Sequence, residues 1–88
     1  MLMKINKENL INSICYTKLV YGRINKKLNL NLSNPAIEVL IIDLLIETDE
    51  RNFKRIGKNI YVLNFYNKIS ITINSNTNRV ITVDRMKN

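Results

Sequence analysis

The sequence predicts an α+β domain in which two N-terminal helices pack on one face of a four-stranded antiparallel sheet, in the order ααββββ. Two observations predict this fold: apolar residues recur every three or four positions up to about residue 48, and they alternate every second position after Asn52. With 88 residues the chain can build one core. We therefore expect a single domain over 1–88, with a helical half at about 5–48 and a sheet half at about 52–85.

The first segment, Asn9 to Leu28, predicts one helix with a continuous apolar stripe. The stripe consists of Leu10, Ile14, Tyr21, Ile24 and Leu28, flanked by Ile11. Tyr16, Arg23 and Lys27 project from the opposite side and are expected to face solvent or a partner. Gly22 lies inside the pattern, where it can kink or split the helix, because glycine is a poor helix former.

The second helix is predicted over Ala36 to Ile46. Asn34 is the expected N-cap and Pro35 the first helical residue, both favoured at these positions. The segment is apolar almost all round, broken only by Glu38 and Asp43. A helix of this kind is usually buried, so we expect it to be central and covered on more than one side.

Four strands are predicted in the second half, joined by short connections that are typical of an antiparallel meander. They are Phe53 to Ile56, Asn59 to Phe65, Lys68 to Asn74 and Arg79 to Asp84. In the third strand Ile69, Ile71 and Ile73 share one face, which we assign to the core. Tyr61 or Phe65 is expected to be a core ring and not a platform for stacking bases, because a small sheet needs aromatic volume.

Strict alternation divides the fourth strand between two faces. It places Val80, Thr82 and Asp84 on one face, and Arg79, Ile81, Val83 and Arg85 on the other. On this pattern both arginines lie at strand ends, on the side of the core but beyond its edge.

The charge of +7 is unevenly distributed. The segment from Glu38 to Glu50 holds five acids and no base, which leaves fourteen bases against two acids in the rest of the chain. A basic surface of this size attracts phosphate backbones or an acidic protein. At the end of the second helix, Glu47, Asp49 and Glu50 are expected to pair with the bases just downstream, Arg51, Lys54 and Arg55. A docking patch for a basic partner is the alternative interpretation.

The residue types that are missing exclude the common enzyme templates. With no histidine, a Ser-His-Asp or Cys-His system is excluded, and the single cysteine, Cys15, cannot form a zinc site. No Walker loop, dinucleotide fingerprint or EF-hand loop is present, so we expect no cofactor and no metal. No apolar run approaches the 18 or so residues that span a bilayer, and one cysteine is compatible with a reducing compartment. We therefore expect a cytoplasmic protein with no membrane contact.

The sequence resembles a bacterial and phage family, domain of unknown function 3781. The resemblance lies in ICYTKLVYGRINKKLNLNLS (14–33), GKNIYVLN (57–64) and KISITINSNTNRVITVDR (68–85). These stretches cover most of the chain. The family carries no assigned activity, so the resemblance implies no catalytic residue.

The pattern of bases favours a small non-enzymatic binding module that engages nucleic acid or a protein of a nucleic-acid-handling complex. A phage-encoded inhibitor of a bacterial defence system is one form of this hypothesis. The predicted binding residues are Arg23, Lys27, Arg55, Lys58, Lys68, Arg79 and Arg85.

Two alternatives stay open. The first is a metal-independent ribonuclease toxin of a toxin–antitoxin pair, with Lys58, Lys68, Tyr61, Arg79 or Arg85 moving protons and stabilising phosphate charge. The second is a homo-oligomer that joins acidic and basic halves.

Overall fold

The computed structural model describes residues 5–87 and has the predicted α+β class, with three helices where two were predicted. The helices are α1 (Lys7–Ser13), α2 (Val20–Leu28) and α3 (Asn34–Glu47), followed by a 3₁₀ turn at Glu50–Asn52. The strands are β1 (Phe53–Ile56), β2 (Asn59–Asn64), β3 (Ile69–Asn74) and β4 (Val80–Arg85). The helices therefore precede the sheet, as the change of apolar period predicted.

The single helix predicted over residues 9–28 is wrong, and the break does not lie at Gly22. The chain leaves the helical conformation after Ser13 and runs beside β4, where Cys15 forms a parallel bridge with Arg79. The Cys15 amide donates to the carbonyl of Asn78 at 2.9 Å, and the Val80 amide donates to the carbonyl of Cys15 at 2.9 Å. These bonds to a distant strand replace the helical ones, while Gly22 lies within α2.

The caps of α2 and α3 explain where these helices begin and end. At the end of α2, Asn29 adopts a left-handed conformation with φ of 55°, which asparagine tolerates better than most residues. At the start of α3, Ser33 is the N-cap and its hydroxyl accepts from the amide of Ala36 at 3.3 Å. The cap therefore lies one residue before Asn34, the predicted position.

The four strands form an antiparallel sheet in the order β1-β2-β3-β4, the predicted meander. Phe53, Val62, Ile71 and Val83 stand opposite one another in a row on the side that faces the helices. Helix α2 packs mainly against β4. The fully buried side chains that join the two layers are Ile24, Leu28, Ile37, Ile41, Leu45, Val62, Ile71, Ile73, Val80 and Val83.

The predicted alternation in β4 is wrong because the strand contains a β-bulge. Thr72 pairs with Thr82 but Ile73 pairs with Val80, so Ile81 has no partner in the register. The extra residue shifts the parity, and Val80 and Val83 are both buried. Val80 therefore lies on the core side, not on the face assigned to it from the sequence.

Helix α3 contacts α1, α2 and β2, which agrees with the expectation that the second helix is covered on more than one side, but one face of it stays open. Ile37, Ile41 and Leu45 of α3 are fully buried, but Val39 and Ile46 keep 60% and 55% of their surface exposed. Because α1 and α2 have only 7 and 9 residues, they do not enclose the 14 residues of α3. Within residues 5–87, no helix combines the length and apolarity needed to cross a bilayer.

Candidate nucleic-acid interface

The structure distributes the seven predicted binding residues between two ends of the sheet. We call the end formed by the turns 57–58 and 75–78 the groove end, and the end formed by the turn 65–68 and the last residue of β4 the far end. The amide of Ser75 donates to the carbonyl of Lys58 at 2.7 Å, which joins the two turns of the groove end. Arg23, Arg55, Lys58 and Arg79 lie toward the groove end. Lys27, Lys68 and Arg85 lie toward the far end, where Lys27 pairs with Asp84.

Two of these residues, Arg23 of α2 and Arg79 beside β4, line one recess of about 350 Å³, which we call the basic groove. Its other polar lining consists of Thr17, Asn74 and Thr77, and its apolar lining of Leu19, Val20, Val80 and Ile81. None of the lining residues is acidic. The groove therefore offers two guanidinium groups, two hydroxyls and an amide with no competing carboxylate.

The β3–β4 turn holds the backbone of Arg79 in place. The side-chain oxygen of Asn74 accepts from the amides of Asn76 and Thr77 at 2.8 and 3.1 Å. The Asn74 amide donates to the carbonyl of Arg79 at 2.9 Å, and Asn78 adopts a left-handed φ of 59°. These short-range bonds are typical of asparagine-rich turns. They fix the position of the Arg79 backbone and involve none of the N–H groups of its guanidinium.

The side chains of Arg23 and Arg79 are exposed and available for a ligand. Among residues 5–87, no acidic side chain lies within ion-pair distance of either guanidinium group. An arginine presents a planar fork of donors that matches a phosphate in two-point geometry. Two such forks in one recess form an anion-binding arrangement.

Arg55 and Lys58 reach the same end of the molecule from the other edge of the sheet. Arg55 lies opposite Ile60 in the register, and it lines a recess of about 220 Å³ with the turn residues Ser75 and Asn78. Lys58 is exposed in the β1–β2 turn. Both bases lie at the groove end without lining the basic groove, and Arg55 also borders a recess that Asp49 and Glu50 line.

Lys27 and Arg85 make contacts within the fold. The ammonium group of Lys27 forms an ion pair with Asp84 at 2.9 Å. The Nη2 atom of Arg85 donates to the carbonyl of Leu28 at 2.7 Å and so satisfies a carbonyl at the end of α2. Lys68 is exposed in the far-end turn with φ of 57°, and its carbonyl accepts from the amide of Met86. The structure separates these three residues from the basic groove.

The aromatic residues of the sheet half do not join the basic groove. Phe65 and Tyr66 lie in the far-end turn and are 59% and 93% exposed, so the prediction that Phe65 is a core ring is wrong. Tyr61 is half-buried on the sheet face away from the helices, where its hydroxyl accepts from the side-chain amide of Asn59 at 3.2 Å. The core ring is Phe53.

A tyrosine pair on the helical side was not expected from the sequence, which assigned Tyr16 to an outward face. The rings of Tyr16 and Tyr21 stack with their centroids 5.5 Å apart, and the Tyr21 hydroxyl donates to Glu38 at 2.7 Å. Burial, followed by the nearby Glu38 charge, raises the pKa of Tyr16. The hydrogen bond to Glu38 raises the pKa of Tyr21. Both phenols therefore stay protonated at neutral pH. The pair joins the α1–α2 connection, which holds Tyr16, to α2, and the Tyr21–Glu38 bond joins α2 to α3.

The family described as Protein of unknown function (DUF3781) matches residues 8–84. No curated protein and no solved structure shows significant similarity to the chain.

Proposed function

The chain belongs to the DUF3781 family, and we propose that it is a non-enzymatic module that binds the backbone of a single nucleic-acid strand in the basic groove. The observation that carries this proposal is the convergence of Arg23 and Arg79 on one recess that no acidic residue lines. The first arginine comes from α2 and the second immediately precedes β4, so the site exists only in the folded chain.

The chemistry of the groove favours phosphodiester groups over other anions. Arginine forks, hydroxyls and amides are the groups that most often contact phosphate and sugar oxygens. The recess of about 350 Å³ is at the lower end of the range for ligand sites, so it has room for one stretch of phosphate backbone. Arg55 and Lys58 at the same end, and the net charge of +7, add long-range attraction.

The ribonuclease alternative finds less support in the geometry. Its predicted residues are divided between the groove end (Lys58, Arg79), the far end (Lys68, Arg85) and the open sheet face (Tyr61). Proton transfer and phosphate stabilisation need these groups within hydrogen-bond reach of one substrate. Incubation of the protein with labelled RNA, followed by electrophoresis, tests the alternative directly, and we expect intact RNA.

The binding proposal is tested by fluorescence anisotropy with labelled 20-nucleotide single strands of RNA and DNA, at several salt concentrations. The logarithm of the binding constant should fall with the logarithm of salt by about 0.7 for each phosphate contacted. The Arg79→Ala variant should reduce that slope by about 0.7, and the Arg23→Ala variant should do the same. Charge reversal at Arg79 should abolish measurable binding.

The matched control is Lys54→Glu, which reverses one charge on the exposed edge strand β1, three strands from β4. If Lys54→Glu weakens binding as much as Arg79→Glu does, attraction by net charge explains the affinity and the groove does not. Absence of binding at low salt would also reject the proposal.

An acidic protein of a nucleic-acid-handling complex, including a bacterial defence complex, is the competing partner. Such a partner would be recognised if Arg79→Ala abolished its binding while single strands neither bound nor competed. The role of a phage-encoded inhibitor stays a prediction, and it requires that second result.

A further inference from the structure

A second surface of the molecule has the opposite character from the basic groove. Helix α3 presents an exposed apolar stripe on the side away from the core, formed by Pro35, Val39, Ile42 and Ile46. These positions are separated by four, three and four residues, which places them on one face of a helix. Val39 and Ile46 are 60% and 55% exposed, so the stripe is available to a partner.

The stripe continues into a groove between α1 and α3. Ile46 borders this groove together with Ile5 and Ile11, and its volume is about 740 Å³. We call the stripe and the groove together the apolar face. It shares no lining residue with the basic groove.

Acidic side chains surround the apolar face. Glu8 and Glu50 line the groove, and Asp43 lies on the exposed side of α3, three residues before Ile46. No base among residues 5–87 lies within ion-pair distance of these three carboxylates. The expected pairing by downstream bases occurs at Asp49, whose carboxylate binds Arg51.

The one base that lines the groove, Lys7, is engaged within the fold. Its ammonium group donates to the carbonyls of Ile46 and Thr48, the second at 2.6 Å, and so caps the end of α3. A cation at this position offsets the negative end of the helix dipole. Counting Glu8, Asp43 and Glu50 as −3 and Lys7 as +1, the described charges at the apolar face sum to −2.

From this arrangement we propose that the apolar face binds a basic amphipathic helix of a partner protein. Apolar side chains of the partner would cover Ile11, Val39 and Ile46, and its Lys or Arg side chains would pair with Glu8, Asp43 and Glu50. An apolar stripe in a groove is the usual way in which a protein receives an amphipathic helix. The acidic rim selects basic partners and repels nucleic acid, which assigns the two surfaces to different ligands.

A second copy of the chain fits this surface less well. In a symmetric dimer each apolar face would meet its own counterpart, so that the carboxylates of both copies would lie against one another. Like charges in contact oppose association. The charge of the rim thus favours a different, basic chain.

The test uses a fluorescein-labelled 18-residue peptide of leucine and lysine, with leucine at the positions of one helix face. We expect anisotropy to show binding that weakens with salt, and the Ile46→Lys and Asp43→Lys variants to weaken it by about tenfold or more. Leu19→Lys is the matched control, because Leu19 is 81% exposed and lies at the basic groove. It adds the same charge and should leave peptide affinity unchanged.

Three outcomes would overturn the proposal: no binding of the peptide, equal loss in Leu19→Lys and Ile46→Lys, or a dimer in analytical ultracentrifugation that Ile46→Lys dissociates. Circular dichroism reports whether each variant folds, and Val39→Lys provides a second change of the same kind on the stripe. Binding of single-stranded RNA by Ile46→Lys should match the wild type. The proposals for the basic groove and for the apolar face can therefore be rejected independently.

Discussion

A single buried asparagine joins α3 to the sheet, and its replacement should destabilise the whole domain. Asn64, the last residue of β2, is 2% exposed. Its amide nitrogen donates to the Thr48 hydroxyl at 2.9 Å and to Glu47 at 3.0 Å, and its oxygen accepts from the Asn67 amide at 2.8 Å. The substitution Asn64→Ala removes these three bonds and a longer one, of 3.4 Å, from the amide nitrogen to the Leu44 carbonyl.

The expected loss follows from these contacts. Each lost hydrogen bond contributes about 1 kcal/mol, and a buried donor left without an acceptor costs about 1–3 kcal/mol. We therefore expect Asn64→Ala to lower the free energy of unfolding by about 2–4 kcal/mol, a large share of the roughly 5–15 kcal/mol typical of a domain. Urea unfolding followed by circular dichroism measures the change.

The companion variant Asn64→Asp tests the direction of the bonds. It keeps the acceptor for Asn67 but places an oxygen against Glu47, so at pH 7 it should destabilise more than alanine does. Since the new carboxyl would be protonated more readily in the folded state, the difference from wild type should shrink as pH falls toward about 4. Asn76→Ala, in an exposed turn, is the control and should change stability by less than about 0.5 kcal/mol. Equal stability of Asn64→Ala and Asn76→Ala would refute the reasoning.

Changes at four further positions are measured by the same unfolding experiment. Gly22→Ala should raise the free energy of unfolding by about 0.5–1 kcal/mol, because alanine favours a helix and its Cβ would meet no atom within 4 Å. Gly57→Ala should lower it by about 1 kcal/mol, because the φ of Gly57 is +61°. A change of the same sign for both variants would contradict this. Arg85→Ala should cost about 1–2 kcal/mol, since it removes the charged donor to the Leu28 carbonyl, and Arg85→Lys should recover part of the loss. The Tyr16 hydroxyl is buried with no partner among residues 5–87, so Tyr16→Phe should not lower stability at pH 7. Because the folded-state pKa of Tyr16 is raised above its ordinary 10.0, wild-type stability should fall as pH rises above 10, and the phenylalanine variant should lose less. Identical alkaline profiles would show that this phenol does not couple to folding.

The strands were predictable because their signal is local. Alternation in Ile69, Ile71 and Ile73 and the short connections placed all four strands within one residue of their observed ends. The local pattern gave a wrong prediction where a segment distant in sequence supplied backbone hydrogen bonds that replace the helical ones. Residues 14–19 have a helical apolar period, but the bridge between Cys15 and Arg79 joins positions far apart in sequence. No window along the chain contains that information.

The candidate sites show the same division. The bases were visible as a composition, but whether a base faces a ligand or the fold depends on its neighbours in space. Arg85 binds the end of α2 and Lys27 binds Asp84, whereas Arg23 and Arg79 share a groove. The acidic segment was visible too. Its relation to an exposed apolar face appears only once α1 and α3 are packed together.

The amino-acid order by itself determined the α+β class, the strand meander and the excess of positive charge, because these depend on composition and on contacts between near neighbours. The tertiary structure alone decided where the first predicted helix breaks, that β4 contains a bulge, and which charges are unpaired. These features depend on hydrogen bonds and ion pairs between residues that are remote in the sequence. Their partners are selected by packing, which a pattern along the chain does not encode.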